Sequence, residues 1–146
     1  MTERIFQPLG MIDAAPSDVR KPALPGYLWG RPVSRWHSTL NGDGGWECSL
    51  NDMARYLAAH VDPESAPPLG PAIRASLAYN VDSPVYGCLG WGRSDGNWAH
   101  DGGTGGFSAV MAFNPDERHG VVVLTNSAHA ELSNIALDFL DANSAE

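Results

Sequence analysis

The chain has 146 residues, 43% of them hydrophobic and only 18% charged. That is apolar material for one core-bearing domain, and too little charge for a coiled coil or a salt-bridged solvent helix. Nine Lys and Arg stand against 17 Asp and Glu, a net charge of −8, which removes the basic footprint of a nucleic-acid binder and disfavours an anionic membrane surface.

No run of about 18 apolar residues occurs, so no membrane span is expected. Met1-Thr2-Glu3-Arg4 has no apolar core behind a basic end and does not read as a signal peptide. Cys48 and Cys88 are too few for a disulfide framework and match no zinc spacing. They read as reduced thiols, and neither a metal nor a cofactor is expected.

Residues 1–48 hold five prolines and six glycines. Proline removes a donor and fixes φ, so long helices are barred here. Glu3 to Leu9 can form a turn or two of helix, and the rest reads as loop with short extended pieces. Ser49-Leu50-Asn51-Asp52 has the form of a capping box, an N-cap serine with an acid three residues on. Leu50, Met53, Leu57 and Val61 then recur at helical spacing, and Asp62-Pro63 ends the helix. Pro71 suits the first position of a second, short helix carrying Ile73 and Leu77.

Beyond Val85 the period shortens. Tyr86 to Trp91 reads as a strand, Asn97 to Asp101 as another, and Gly102 to Gly106 as a glycine-dense turn. Phe107 to Phe113 alternates, with Phe107, Ala109, Met111 and Phe113 on one face and Val110 and Ala112 on the other. Asn114-Pro115-Asp116-Glu117 is a hairpin turn. Gly120 to Thr125 is a continuous apolar strand, which calls for cover on both faces. A terminal helix, capped at Asn126 or Ser127, buries Leu132, Ile135, Ala136, Phe139 and Leu140. The expected architecture is a single α+β domain over residues 1–146: irregular over 1–48, helical over 49–80, then an antiparallel sheet of about three strands with a C-terminal helix over 85–146.

The densest chemistry lies at Trp98-Ala99-His100-Asp101-Gly102-Gly103-Thr104. An imidazole at a strand end followed by glycines stands beside bare backbone, where N–H groups can hold an oxyanion. A tight turn with an incidental histidine explains the composition equally well. His37, His60, His119 and His129 have no partners at metal-ligand spacing and are expected on surfaces or in loops. Asn41 to Gly45 lacks the later glutamate of a calcium loop. The five tryptophans could line a cleft, with packing the simpler role.

His100 to Ser108 resembles the cleft strand of the serine β-lactamase-like hydrolases, a superfamily of class C β-lactamases, D-alanyl-D-alanine carboxypeptidases and esterases. Ile5 to Asp13, Gly44 to Leu57, Tyr86 to Trp91 and Val121 to Ser127 resemble further family segments, in the family's order. The resemblance implies a serine acyl hydrolase of a partial β-lactamase/transpeptidase-like fold, acting on an ester, amide or lactam. It places His100, Gly102 and Gly103 in the catalytic wall, with the Gly103 N–H as an oxyanion donor. Asp101, Thr104 and Trp98 would then touch substrate. Asp101 stands where the family usually has threonine, and an acid there disfavours an anionic substrate.

The family's nucleophile sits in Ser-x-x-Lys, with assistance from Tyr-x-Asn. The sole lysine is Lys21, with Asp18 three residues before it, and no tyrosine is followed two places on by asparagine. Ser17 to Arg20 comes nearest, but arginine stays protonated and cannot act as a base. Ser49-Leu50-Asn51 fits Ser-x-Asn but sits where a helix cap is needed. The expectation is a C-terminal fragment or truncated relative, inactive by itself. A non-catalytic binding module, or the assembly partner of a split enzyme, is the alternative. Without N-terminal strands, the edge of the Val121–Thr125 strand stays open, which predicts a homo-oligomer or a separately encoded N-terminal half.

Overall fold

The computed structural model describes residues 1–16, 24–34, 44–79, 89–128 and 131–144. A helical turn at Thr2–Phe6 opens the chain. Short strands follow: β1 (Ala15–Pro16), β2 (Gly26–Leu28), β3 (Arg31–Val33) and β4 (Trp46–Glu47), pairing as β1–β4 and β2–β3. Helix α1 (Leu50–Val61) and helix α2 (Gly70–Ala78) flank a 3-10 turn. Strands β5 (Gly92–Ser94), β6 (Asn97–Thr104), β7 (Phe107–Asn114) and β8 (His119–Thr125) form one antiparallel sheet in sequence order. Helix α3 (Leu132–Asn143) closes the fold.

The fold is α+β as expected, with four strands in the main sheet among the described residues against the expected three or so. β7 carries the predicted alternation. Met111 and Phe113 pack with Trp91 and Trp98 against Met53, Tyr56 and Leu57 of α1. Val110 and Ala112 pack on the opposite face against Leu132, Ala136 and Leu140 of α3. The sheet is thus the middle of three layers, and β8 splits its valines between both faces, Val122 toward α1 and Val121 and Val123 toward α3.

Several expectations change. Gly102 and Gly103 lie within β6, and the turn is Gly105–Gly106 alone. Their glycines stay extended because the ladder with β7 runs unbroken from Trp98↔Phe113 to Thr104↔Phe107. Half of the expected Tyr86–Trp91 strand, Tyr86 to Cys88, lies outside the described residues; Leu89 to Trp91 is not strand, and pairing starts at Gly92. α3 begins after Glu131, not at Asn126 or Ser127. Those two residues instead run alongside β2: Tyr27 donates its N–H to the Asn126 carbonyl at 2.9 Å, and Ala128 donates to the Tyr27 carbonyl at 2.8 Å. Ile135 and Phe139 are exposed at 57% and 43%, so the buried stripe of α3 is Leu132, Ala136 and Leu140 only. Leu50 is exposed as well.

Ser49 caps α1, its Oγ accepting the Asp52 N–H at 3.2 Å. Asp52 does not close the capping box. Its fully buried carboxylate accepts the Asp13 N–H at 2.7 Å and Arg55 at 3.3 Å, which ties the N-terminal segment to α1. His60 corrects a second expectation. It is buried at 3% exposure, between Tyr56, Trp91 and Phe113. Its Nδ1 lies 2.9 Å from the Tyr56 carbonyl. A carbonyl only accepts, so Nδ1 carries the proton in the neutral ring. His37 and His129 lie outside the described residues.

Burial holds the His60 pKa below its ordinary value, with the Tyr56 hydrogen bond opposing in part. A base with a lowered folded pKa binds fewer protons folded than unfolded, so its contribution is complete above the unfolded value near 6.5 and is lost as pH falls below it. The urea midpoint is therefore expected to drop on going from neutral pH to about pH 5. His60→Gln, which cannot titrate, should flatten that drop. An unchanged pH slope in the variant would refute the role given to this ring.

Candidate functional site: the outer edge of the cleft strand

β6 has eight residues but a neighbour on its outer side for only the first three. β5 pairs with Asn97, Trp98 and Ala99, whereas β7 pairs from Trp98 through Thr104. From His100 onward no strand among the described residues covers the outer edge.

The register decides which backbone groups face that edge. The two-residue turn is closed by Thr104↔Phe107, which makes this a hydrogen-bonded pair. Pairs alternate along an antiparallel ladder. Thr104, Gly102 and His100 therefore spend their N–H and C=O groups on β7. Gly103 and Asp101 turn theirs outward, to the open edge.

Side chains alternate in the same way. His100 stands opposite Met111 on the α1 face, exposed, with its ring 6.1 Å from Trp91 in an edge-on arrangement. Gly102 and Thr104 continue that face. At Gly102 a Cβ would meet nothing within 4 Å, so the missing side chain leaves an open shelf between His100 and Thr104. Asp101 points to the opposite face, where its Oδ2 accepts the Ser133 hydroxyl at 2.5 Å, at the first turn of α3. Ser108, across from Gly103, donates to the Ser127 carbonyl at 3.1 Å.

Of the residues singled out in the sequence, His100, Gly102 and Thr104 share one face, Gly103 offers its N–H at the edge, and Asp101 lies behind the strand. Trp98 sits in the core at 7% exposure, with the Arg93 guanidinium 4.9 Å from its ring centre. It supports the strand from inside and has little ring surface left for a ligand. Sequence reasoning missed Ser133, since nothing marks one serine in an α3 turn until the register brings Asp101 to it.

The strand's far end is braced by backbone contact. A Cβ at Gly106, where φ is +86°, would lie 2.4 Å from the Gly26 carbonyl carbon, and Tyr27 donates its N–H to the Gly106 carbonyl at 3.0 Å. The β2–β3 hairpin thus clamps the β6–β7 turn and fixes where the open edge ends. Cys48 is no rival nucleophile. Burial first, then Asp52 and Glu47, push its thiol up to about 11, so it stays protonated at neutral pH. No cluster of metal-ligating side chains and no membrane-crossing helix occurs among the described residues.

Comparison with known proteins follows this geometry. A family model described as "Beta-lactamase" matches residues 1–146. A β-lactamase from Yersinia enterocolitica is 28% identical over 170 residues, covering 86% of this chain and 44% of that protein. In three dimensions, the octameric penicillin-binding protein homologue from Pyrococcus abyssi superposes with a TM-score of 0.74 at 24% identity, over 97% of this chain and 36% of that one. The chain spans under half the length of the curated relative it matches.

Two glycines separate bracing from the open shelf. Gly106→Ala is expected to lower unfolding free energy by about 2–4 kcal/mol, through the left-handed φ and the clash with Gly26. Gly102→Ala should change it by under about 0.5 kcal/mol. Urea denaturation of both variants checks this, and equal losses would contradict the assigned contacts.

Proposed function

This chain belongs to the β-lactamase family, and on that premise we propose that it forms one wall of a serine acyl hydrolase cleft whose nucleophile lies outside these 146 residues. The observation that carries the reading is the outer edge of β6, which no strand among the described residues pairs from His100 onward, and where the Gly103 N–H and the His100 ring border the open Gly102 shelf.

A tetrahedral intermediate needs fixed donors at its oxyanion, and a backbone N–H locked in a ladder is pre-aimed. The carbonyl oxygen of an ester, amide or lactam would sit at Gly103. His100 would polarise the site or hold an anionic end of the substrate. Thr104 would line the shelf beyond it. A serine hydroxyl is a weak nucleophile and needs an adjacent base. These residues contain neither a Ser-x-x-Lys pair nor a Tyr-x-Asn to supply one, so the isolated chain binds without turning over. No cofactor enters the scheme.

A second reading concerns assembly, and the open side of β8 favours it. β8 is the last strand of the sheet, and Leu124 on it is 38% exposed. Beyond its end only the Tyr27 to Ser127 bridge continues the pairing among the described residues. An unpaired apolar strand is a template for another chain. A nucleophile-bearing N-terminal half or a second copy would cover it.

The purified chain is expected to hydrolyse neither nitrocefin nor a p-nitrophenyl ester above background, and to scatter light as more than one copy at micromolar concentration. Turnover that disappears in His100→Ala would overturn the first reading. A clean monomer would overturn the second.

A further inference from the structure

Behind the cleft strand, between β6 and the first turn of α3, lies a cavity of about 290 Å³. Asp101, Gly103, Ser108, Leu132 and Ser133 are among its walls, and among the described residues no basic side chain lines it. It borders Gly103, whose N–H faces the edge described above, so a group attached to a carbonyl held there is within reach of it.

The charge of this cavity can be weighed. A helix N-terminus is worth roughly half a positive charge, and α3 begins here at Leu132. Alone, that would attract an anion. Asp101 places a full negative charge in the same space, exposed and held by one hydroxyl, that of Ser133 at 2.5 Å, among the described residues. The carboxylate outweighs the helix end, so the remaining field is negative. The chain's own acid thus occupies the position an incoming carboxylate would take. The overall charge of −8 reinforces the same sign.

We propose that this cavity is a subsite for a cationic group, a primary ammonium next to the reacting carbonyl, with Asp101 as its counter-ion and Ser133 fixing the carboxylate. This deepens the acyl hydrolase reading and rests on it. Substrates would be amino-terminal peptides or amino esters, rather than compounds with a carboxylate beside the scissile bond. His100 and Asp101 lie on opposite faces of β6, so an anion-binding imidazole in front and a cation-binding carboxylate behind do not cancel each other.

Titration of the isotope-labelled chain by NMR at pH 7 and low salt, with three probes of similar size, tests this. Alaninamide is cationic, N-acetylalaninamide neutral and N-acetylalanine anionic. Alaninamide should bind at least about fivefold tighter than N-acetylalanine, with shifts at Asp101, Gly103 and Ser133. Asp101→Asn should erase that preference, so that cation and anion bind alike. Raising salt to about 0.5 M should shrink the preference in the unaltered chain, which reads the same charge without any variant. Equal binding of cation and anion, or a preference that survives Asp101→Asn, overturns the subsite. The neutral probe reads the wall itself: if His100→Ala leaves its binding untouched, the acyl hydrolase reading fails too. No binding of any probe at millimolar concentration overturns both.

Discussion

A β-strand with a neighbour on one side only must leave half of its backbone groups unspent within the sheet. Most proteins hide or shorten such edges. Among the described residues, no strand covers the edge over the stretch where His100, Gly102 and Gly103 fall. The rest of the structure fixes where that bare stretch begins and ends. β5 stops pairing at Ala99, and the Gly26–Gly106 backbone contact pins the turn at the other end. Between them the strand is held by its ladder to β7, whose Met111 and Phe113 pack in the core beneath.

In the proposed role, that rigidity is what the edge N–H groups need. An N–H contributes to oxyanion binding only if it is aimed before the ligand arrives, because reorganisation would consume the gain. Two core layers supply the aim. Trp91, Trp98, Met111 and Phe113 fill the α1 side, and Val110, Ala112 and Leu140 fill the α3 side. Polar groups buried in or beside the first layer carry specific duties. Asp52 receives the Asp13 N–H and so fastens the N-terminal segment, while His60 packs as a neutral ring between aromatics.

β7 follows its apolar alternation, Met53, Leu57 and Val61 of α1 pack as their spacing implies, and Ser49 is the cap its pattern implied, whereas Leu50 of α1 and Ile135 and Phe139 of α3 face outward despite their period. Glycine misled at Gly102 and Gly103. Local propensity reads a glycine cluster as a turn, but a long pairing partner overrides it. The start of α3 was misplaced for a related reason, since Asn126 is drawn into contact with β2, with its side chain donating to the Pro25 carbonyl at 3.0 Å. His60 carried no sign of burial except its place on the α1 face. That His100, Gly102 and Gly103 lie close together was visible from their order along the chain. That Asp101 faces the other way, toward Ser133, follows only from strand register.

Amide hydrogen exchange along β6 is the most direct measurement of the open edge. Gly102 is bonded to Ala109 by register, so its N–H should exchange slowly, at a rate set by opening of the sheet. The Gly103 N–H, one residue on, should exchange close to the rate of an unprotected glycine. Alternation between protected Gly102 and unprotected Gly103 is the expected result. Equal, strong protection at both would mean that another element already occupies the edge, and that the wall is closed to any ligand.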